Sequence, residues 1–238
     1  MLSPRRYLII LIVADVVMIG IFIVVANVHV PLQLNLIRQF NPDAEGNLAS
    51  WYASSKLLTA ALMIGVVAAV NEYKKLAPIL LALILFSLSA DEAAQIHEEL
   101  GLAISLVVTP KGIAIPGTPS AHDWPYLFAP PALLLISAVM FWIKRDGFFE
   151  RRTWARFVLG FAILFAGAVG AEIVEQYLNW EIWKYAWVGP APTATLLEEL
   201  VENFGNSLLI WASAYAIIEA LPVYAATSKQ SGSSGKGI

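Results

Sequence analysis

Six long runs of apolar residues, separated by short polar segments, dominate the pattern of this chain. A helix needs about 20 apolar residues to cross the hydrocarbon core of a bilayer, and each run reaches that length. The sequence therefore predicts an all-α fold, a polytopic integral membrane protein built as a six-transmembrane-helix bundle. The predicted spans are Tyr7–Asn27, Ser50–Val70, Leu76 to about Leu102, Trp124–Ile143, Thr153 to about Asn179, and about Thr195 to Leu221.

The six spans form one predicted domain, residues 1–227, and the Ser/Gly-rich end, residues 228–238, is predicted to be a flexible cytoplasmic tail. The first apolar run is longer than the core of a typical secretory signal, and no clear cleavage site follows it. We therefore expect this run to be retained as a membrane span.

The composition agrees with a membrane protein, since 58% of the residues are hydrophobic, 14% are charged and the mean hydropathy is +0.68. Soluble domains carry about 25% charged residues. The formal net charge is −3 and no basic patch occurs, so we expect the lipid bilayer as a partner and no nucleic acid. The chain has no cysteine and only three histidines, so a metal site would use mostly oxygen ligands.

Lysine and arginine predict the orientation of the spans. If the N-terminus is cytoplasmic, most of the 15 basic residues fall in the cytoplasmic segments. Such a bias is typical of cytoplasmic loops. The sequence therefore predicts that both termini are cytoplasmic and that the segments 28–49, 103–123 and 180–194 lie outside.

Nine carboxylates lie in, or at the ends of, the third, fifth and sixth predicted spans, and the alternating topology brings all of them to the outer side. They are Asp91, Glu92, Glu98, Glu99, Glu172, Glu175, Glu198, Glu199 and Glu202. An ionised carboxylate costs roughly 2.5 kcal/mol or more in the middle of a membrane, so it normally faces the interior of a bundle. The acids of each span share one helical face, so we expect the three faces to pack together and to be neutralised by protons, a basic residue or bound cations.

A divalent metal ion is the first candidate for this neutralisation. Glu172-x-x-Glu175 and Glu199-x-x-Glu202 place pairs of carboxylates one turn apart, as in metal sites of helical bundles, although no Glu-x-x-His motif is present. An oxygen-rich site favours calcium, magnesium or manganese, and iron would add redox chemistry. The predicted metal ligands are Asp91, Glu92, His97, Glu98, Glu172, Glu175, Glu199 and Glu202. With an open coordination position, such a metal could make the protein a membrane enzyme, but the sequence identifies no catalytic residue.

Three other interpretations remain open. The acids nearest the surface could simply be solvated at headgroup level. The protein could be a proton- or cation-coupled transporter, in which Asp15 extends a path inward, although we prefer Asp15 paired with a neighbouring polar group. It could also be an accessory or assembly subunit whose acids contact other membrane protein subunits. Lys56 could neutralise part of the acidic cluster or extend outward to the headgroups.

The segment Asn41-Pro-Asp-Ala-Glu-Gly-Asn47 spaces its oxygen atoms as the start of an EF-hand loop does. However, Tyr52 stands at the twelfth position, where a bidentate glutamate is needed. The sequence therefore favours a turn that caps the second helix over a calcium loop.

Two stretches carry a resemblance, the segment from Asn41 to Tyr52 and the run Ser87-Leu-Ser-Ala-Asp-Glu-Ala-Ala-Gln-Ile-His-Glu98. They resemble an uncharacterised group of bacterial multi-pass membrane proteins with an Asp-Glu-Ala-Ala-x-x-His-Glu run. The resemblance implies a location in the bacterial inner (plasma) membrane and implies no activity.

Overall fold

The structure, a computed structural model, confirms an all-helical protein with six helices long and apolar enough to cross a membrane. It describes residues 3–27, 39–41, 46–71, 75–94, 96–97, 99–101, 103, 124–171, 173, 187–188 and 191–233. The α-helices of these spans are α1 (Pro4–Asn27), α2 (Leu48–Val70), α3 (Leu76–Ala94), α4 (Trp124–Arg145), α5 (Arg151–Phe165) and α6 (Thr193–Ser233), and the fifth span reaches its full length, Arg151–Ala171, with the segment that follows α5.

Two smaller elements complete the described architecture. A π-helical segment, Ala166–Ala171, continues α5. The antiparallel strands β1 (Trp187–Val188) and β2 (Ala191–Pro192) come directly before α6. Helix α6 runs on to Ser233, so the first part of the predicted tail, residues 228–233, is helical.

Local sequence signals explain where α2 begins. The side chain of Asn47 accepts hydrogen bonds from the backbone N–H groups of Ala49 and Ser50, at 2.8 and 3.1 Å. The Ser50 hydroxyl accepts in return from the Asn47 N–H at 3.2 Å, which completes a capping box. The prediction of a capping turn before the second helix is therefore confirmed; residues 42–45 of this segment lie outside the described residues.

Helix α6 is the central element of the bundle, because it packs against α1, α2 and α5. Helices α2 and α3 form a tight hairpin, and α4 packs against both α3 and α5. The apolar core lies between α2, α3, α4, α5 and α6 and includes Leu57, Ile64, Leu81, Leu85, Ile143, Phe157, Leu209 and Ile210. Helix α1 lies at the margin of the bundle and buries only Asp15 and Phe22 among its described side chains.

Glycines let α5 and α6 approach each other closely. A Cβ atom on Gly205 would lie 2.5 Å from the backbone nitrogen of Leu164. A Cβ atom on Gly160 would lie 2.9 Å from the Leu209 side chain, and one on Gly167 would lie 2.6 Å from Cγ of Glu202. Small residues at such contacts allow backbone-to-backbone packing, which drives helix association in lipid.

The two ends of the bundle differ in charge. At one end, which we call the acidic end, Phe22 of α1 packs against Leu196 of α6. The acids near this end are Glu92, Glu198, Glu199 and Glu202. At the other, basic end, Glu219 of α6 accepts hydrogen bonds from the Thr153 hydroxyl and the Glu150 N–H at the start of α5. The basic end carries Arg5, Arg6, Lys144, Arg145, Arg151 and Arg152.

We expect Gly205→Ala to destabilise the protein by about 1–3 kcal/mol, because the added methyl group overpacks the α5–α6 contact. Thermal unfolding of the purified protein in mild detergent would measure the change. Gly65→Ala in α2 is the matched control, since nothing lies within 4 Å of a Cβ atom at that position. The control should be neutral or stabilising by up to about 1 kcal/mol. Equal effects of the two substitutions would contradict the close α5–α6 contact.

Candidate functional site

A buried ion pair joins α1 to α2 inside the bundle. Lys56 Nζ lies 2.8 Å from Asp15 Oδ1, and the two side chains are only 3% and 1% exposed. In hydrocarbon an isolated charge of either sign is costly, so each residue removes the main cost of burying the other. The expectation that Asp15 pairs with a neighbouring polar group is therefore confirmed.

Further hydrogen bonds complete what we call the Asp15–Lys56 network, which consists of Asp15, Tyr52, Lys56, Asn203 and Ser207. Lys56 Nζ donates to the backbone oxygen of Asn203 at 3.0 Å and to its Oδ1 atom at 2.7 Å. The Tyr52 hydroxyl donates to Asp15 Oδ1 at 2.8 Å, and the Ser207 hydroxyl donates to Asp15 Oδ2 at 2.7 Å. An ammonium group has three N–H donors, and all three are used here.

The network changes the interpretation of Lys56. Its side chain is buried, so it does not extend outward to the headgroups, and its direct ionic partner is Asp15. The carboxylates of Glu92 and Glu199 lie close enough to interact with Lys56 electrostatically. The positive charge of Lys56 therefore acts electrostatically on Glu92 and Glu199, while its hydrogen bonds are made within the Asp15–Lys56 network.

A narrow crevice lies beside the network, between α1, α2 and α6. It is lined by Asp15, Met18, Ile19, Phe40, Ala49, Tyr52 and Asn203. Four of these residues are apolar, and Asp15, Tyr52 and Asn203 form the polar part of the lining. The crevice is therefore a small open space beside the Asp15–Lys56 ion pair, whose side chains are almost fully buried.

Near the end of α3, two predicted ligands come together, Asp91 within the helix and His97 just after it. The Nδ1 atom of His97 lies 2.9 Å from Asp91 Oδ2, and the His97 backbone N–H donates to Asp91 Oδ1 at 2.8 Å. Glu92 is partly buried and interacts electrostatically with Asp91, His97 and Lys56. The acids at the end of α3 and the buried lysine of α2 therefore occupy one region of the protein.

On α6, two of the predicted acids, Glu198 and Glu202, lie against the π-helical segment that follows α5. Glu198, Glu199 and Glu202 are each partly buried. Gly167 of the π segment lies so close to α6 that its missing Cβ atom would be 3.2 Å from the backbone oxygen of Glu198. Short π-helical turns frequently occur at functional sites. The prediction of one polar face on the fifth span requires a regular α-helix. The α-helix of this span ends at Phe165, where the π-helical segment begins.

The predicted eight-ligand metal site is only partly within the described residues. The side chains of Glu98, Glu172 and Glu175 lie outside them. Among the side chains that are described, no three acidic or histidine residues form a group that could hold one metal ion. The described ligands come from two parts of the chain, with Asp91 and Glu92 on α3, His97 just after it, and Glu199 and Glu202 on α6.

A further polar atom lies buried near the network. Asn206 of α6 is 1% exposed, and its Oδ1 atom has no hydrogen-bond partner within the described part of the chain. Asn206 follows Glu199 by seven residues, so the two lie on nearly the same face of α6, about 10 Å apart along its axis. A buried amide oxygen normally accepts a hydrogen bond or contacts a cation or water.

The sequence prediction missed the composition of the network, although a signal for it was present. Asp15 is the only charged residue of α1 beyond its first turn, and Lys56 is the only charged residue of α2. Two single charges of opposite sign in neighbouring spans are a candidate pair. The roles of Tyr52, Asn203 and Ser207 depend on how α6 packs, which no local pattern indicates.

Residues 9–218 match the family described as a domain of unknown function, DUF8692. Because the match covers most of the 238 residues, the chain belongs to this family. No curated protein and no solved structure matches the chain. The family match agrees with the resemblance to an uncharacterised group of proteins.

We expect Lys56→Met to destabilise the protein by about 3–5 kcal/mol, because it leaves the Asp15 carboxylate buried without its cation. The double variant Asp15→Asn/Lys56→Met should recover part of this loss, since the amide that replaces the carboxylate is uncharged and could still bond to Ser207. Thermal unfolding of the wild type, both single variants and the double variant in the same detergent gives the coupling energy. A double variant no more stable than Lys56→Met would refute the coupling.

Proposed function

We propose that this member of the DUF8692 family binds a divalent cation at the acidic end of its bundle. One observation carries the proposal: Glu92 of α3 and Glu199 of α6 both interact electrostatically with Lys56, so carboxylates from two helices share one region of the bundle. The three N–H groups of Lys56 are donated to Asp15 and Asn203, so its single charge is shared between Asp15 and these acids. A bound cation would provide the additional positive charge that a group of carboxylates requires in a membrane.

The available donors suit a hard cation. Carboxylate oxygens predominate, His97 is the one candidate nitrogen ligand, and the Asn206 Oδ1 atom adds a neutral oxygen that could bind a water of a hydrated ion. Such donors favour calcium, magnesium or manganese over zinc or copper. The proposed ligands are those predicted from the sequence: Asp91, Glu92, His97, Glu98, Glu172, Glu175, Glu199 and Glu202.

The proposal includes an orientation. Basic residues gather at the end of the bundle opposite to the acids, and cytoplasmic loops are typically rich in lysine and arginine. In a bacterial inner membrane the acidic end would then face the periplasm, and both termini would be cytoplasmic. The proposed site is thus open to extracytoplasmic cations, and it becomes an enzymatic site only if one coordination position stays free for substrate or water.

Elemental analysis of the protein purified in mild detergent without chelator tests the proposal. We expect near-stoichiometric calcium, magnesium, manganese or iron in the wild type, and loss of most of it in Glu199→Gln/Glu202→Gln, because two ligand charges are removed. Glu150→Gln is the control, since Glu150 is exposed at the basic end and its side chain makes no capping hydrogen bond. Wild-type protein without bound metal, before and after dialysis against each cation, would rule the cation site out.

Proton or cation transport is the second candidate, because Asp15, a charged residue within a span, lines the crevice. Toward the basic end, however, α6 buries Leu209, Ile210, Ala212 and Ala216 in the apolar core. Such a layer closes a polar path, so the described geometry favours a blind-ended site over a continuous one.

A transporter would give a proton or cation flux in proteoliposomes that falls to the level of empty liposomes in Asp15→Asn. The binding proposal instead predicts no flux above empty liposomes for either the wild type or the variant. Fluorescent indicators of pH and of divalent cations inside the liposomes would distinguish the two functions.

A further inference from the structure

Arg156 of α5 is held in an unusual environment for an arginine within a membrane span. Its guanidinium carbon lies 3.7 Å from the ring centroid of Tyr215 and 4.7 Å from that of Trp211, both on α6. Its Nη1 atom donates to the Thr153 hydroxyl at 3.1 Å. Cation–π contacts and this hydrogen bond fix the planar group against α6, so its orientation is set before any ligand arrives.

Arg156 has more N–H donors than the described residues provide hydrogen-bond acceptors for it. A guanidinium group carries five N–H donors, and Thr153 supplies the single hydrogen-bond acceptor found for them in the described part of the chain. The ion pairs that the described residues form join Lys56 to Asp15, His97 to Asp91 and Arg145 to Asp146, and none includes Arg156. Glu219 of α6 bonds instead to the Thr153 hydroxyl and the Glu150 N–H.

A second arginine lies on the same side of α5. Arg152 precedes Arg156 by four residues, so the two side chains are neighbours on one helical face, and Arg152 is exposed. Two like charges at this spacing repel each other unless an anion lies between them. A phosphate group is such an anion, and arginine binds it through paired N–H groups.

The surroundings of the two arginines suit a lipid better than a free anion. Both are near the beginning of the span Arg151–Ala171, where headgroups meet hydrocarbon. Further into the membrane, the exposed apolar side chain of Leu159, three residues after Arg156, continues the same face of α5. A phospholipid could place its phosphate on the arginines and an acyl chain on this apolar surface, whereas inorganic phosphate would use only the first contact.

We propose that the outer surface between α5 and α6 at the basic end binds an anionic phospholipid, with Arg152 and Arg156 holding its phosphate. Tyr215 and Trp211 position the Arg156 guanidinium for this contact. The proposal is independent of the cation site, because the two lie at opposite ends of the bundle.

Native mass spectrometry of the full chain, released from micelles containing equal amounts of phosphatidylglycerol and phosphatidylcholine, tests the proposal. We expect a preference for retained phosphatidylglycerol of about thirtyfold in the wild type, since the two basic residues near the surface contribute about 1 kcal/mol each and about 1.4 kcal/mol corresponds to a tenfold ratio. Arg152→Gln/Arg156→Gln should lose this preference. The control Arg5→Gln/Arg6→Gln removes the same charge from exposed residues at the same end and should retain it.

Arg152→Gln alone guards against a folding defect, because Arg152 is exposed and the contacts of Arg156 to α6 stay intact. This single variant should lose part of the preference with an unchanged unfolding temperature. Equal loss in the Arg5→Gln/Arg6→Gln control would show a non-specific charge effect and overturn the proposal. Displacement of phosphatidylglycerol by millimolar inorganic phosphate would show a free-phosphate site and overturn it as well.

Discussion

The absence of water in the hydrocarbon core is the constraint on which this structure depends, and the Asp15–Lys56 ion pair is where it acts most strongly. Neither charge could stay in the membrane alone. Together they also engage Tyr52, Asn203 and Ser207, so that one polar cluster joins α1, α2 and α6. Helix α1 buries little else among its described residues. The ion pair therefore specifies where the first helix docks on the bundle.

Close packing of α5 on α6 has a different physical origin. Lipid chains are as apolar as leucine, so helices in a membrane gain stability from close contact rather than from hydrophobic burial. Gly160, Gly167 and Gly205 allow that contact. The same contact brings the π-helical segment against Glu198 and Glu202, and it places Glu219 where it can bond to the start of α5. One packing interface thus positions charged groups at both ends of the bundle.

The two ends offer different chemistry to the surroundings. At the acidic end, carboxylates of α3 and α6 interact with a lysine that is paired with Asp15, and there we propose a bound cation. At the basic end, Arg156 is held against the rings of Trp211 and Tyr215 and has N–H donors that Thr153 does not use, which favours a bound phosphate group. Between them lies an apolar core with Leu209 and Ile210 at its centre. This separation of charge along one bundle agrees with the cytoplasmic preference of basic residues, and it keeps the two proposed sites independent of each other.

The sequence by itself determined the class of protein, the number of spans and the turn that starts α2. Length, apolarity and capping depend on neighbouring residues, so they can be recognised locally. Only the tertiary structure decided the partner of Lys56, because Asp15 and Asn203 are distant in the chain and meet through helix packing. The tertiary structure also decided which way the residues of the fifth span face beyond Phe165. A helical face is predicted from a rotation of about 100° per residue, and a π-helical turn departs from that rotation. Helical periodicity therefore indicated which acids share one face of a helix. Which positive charge lies near each acid depends on how the helices pack against one another.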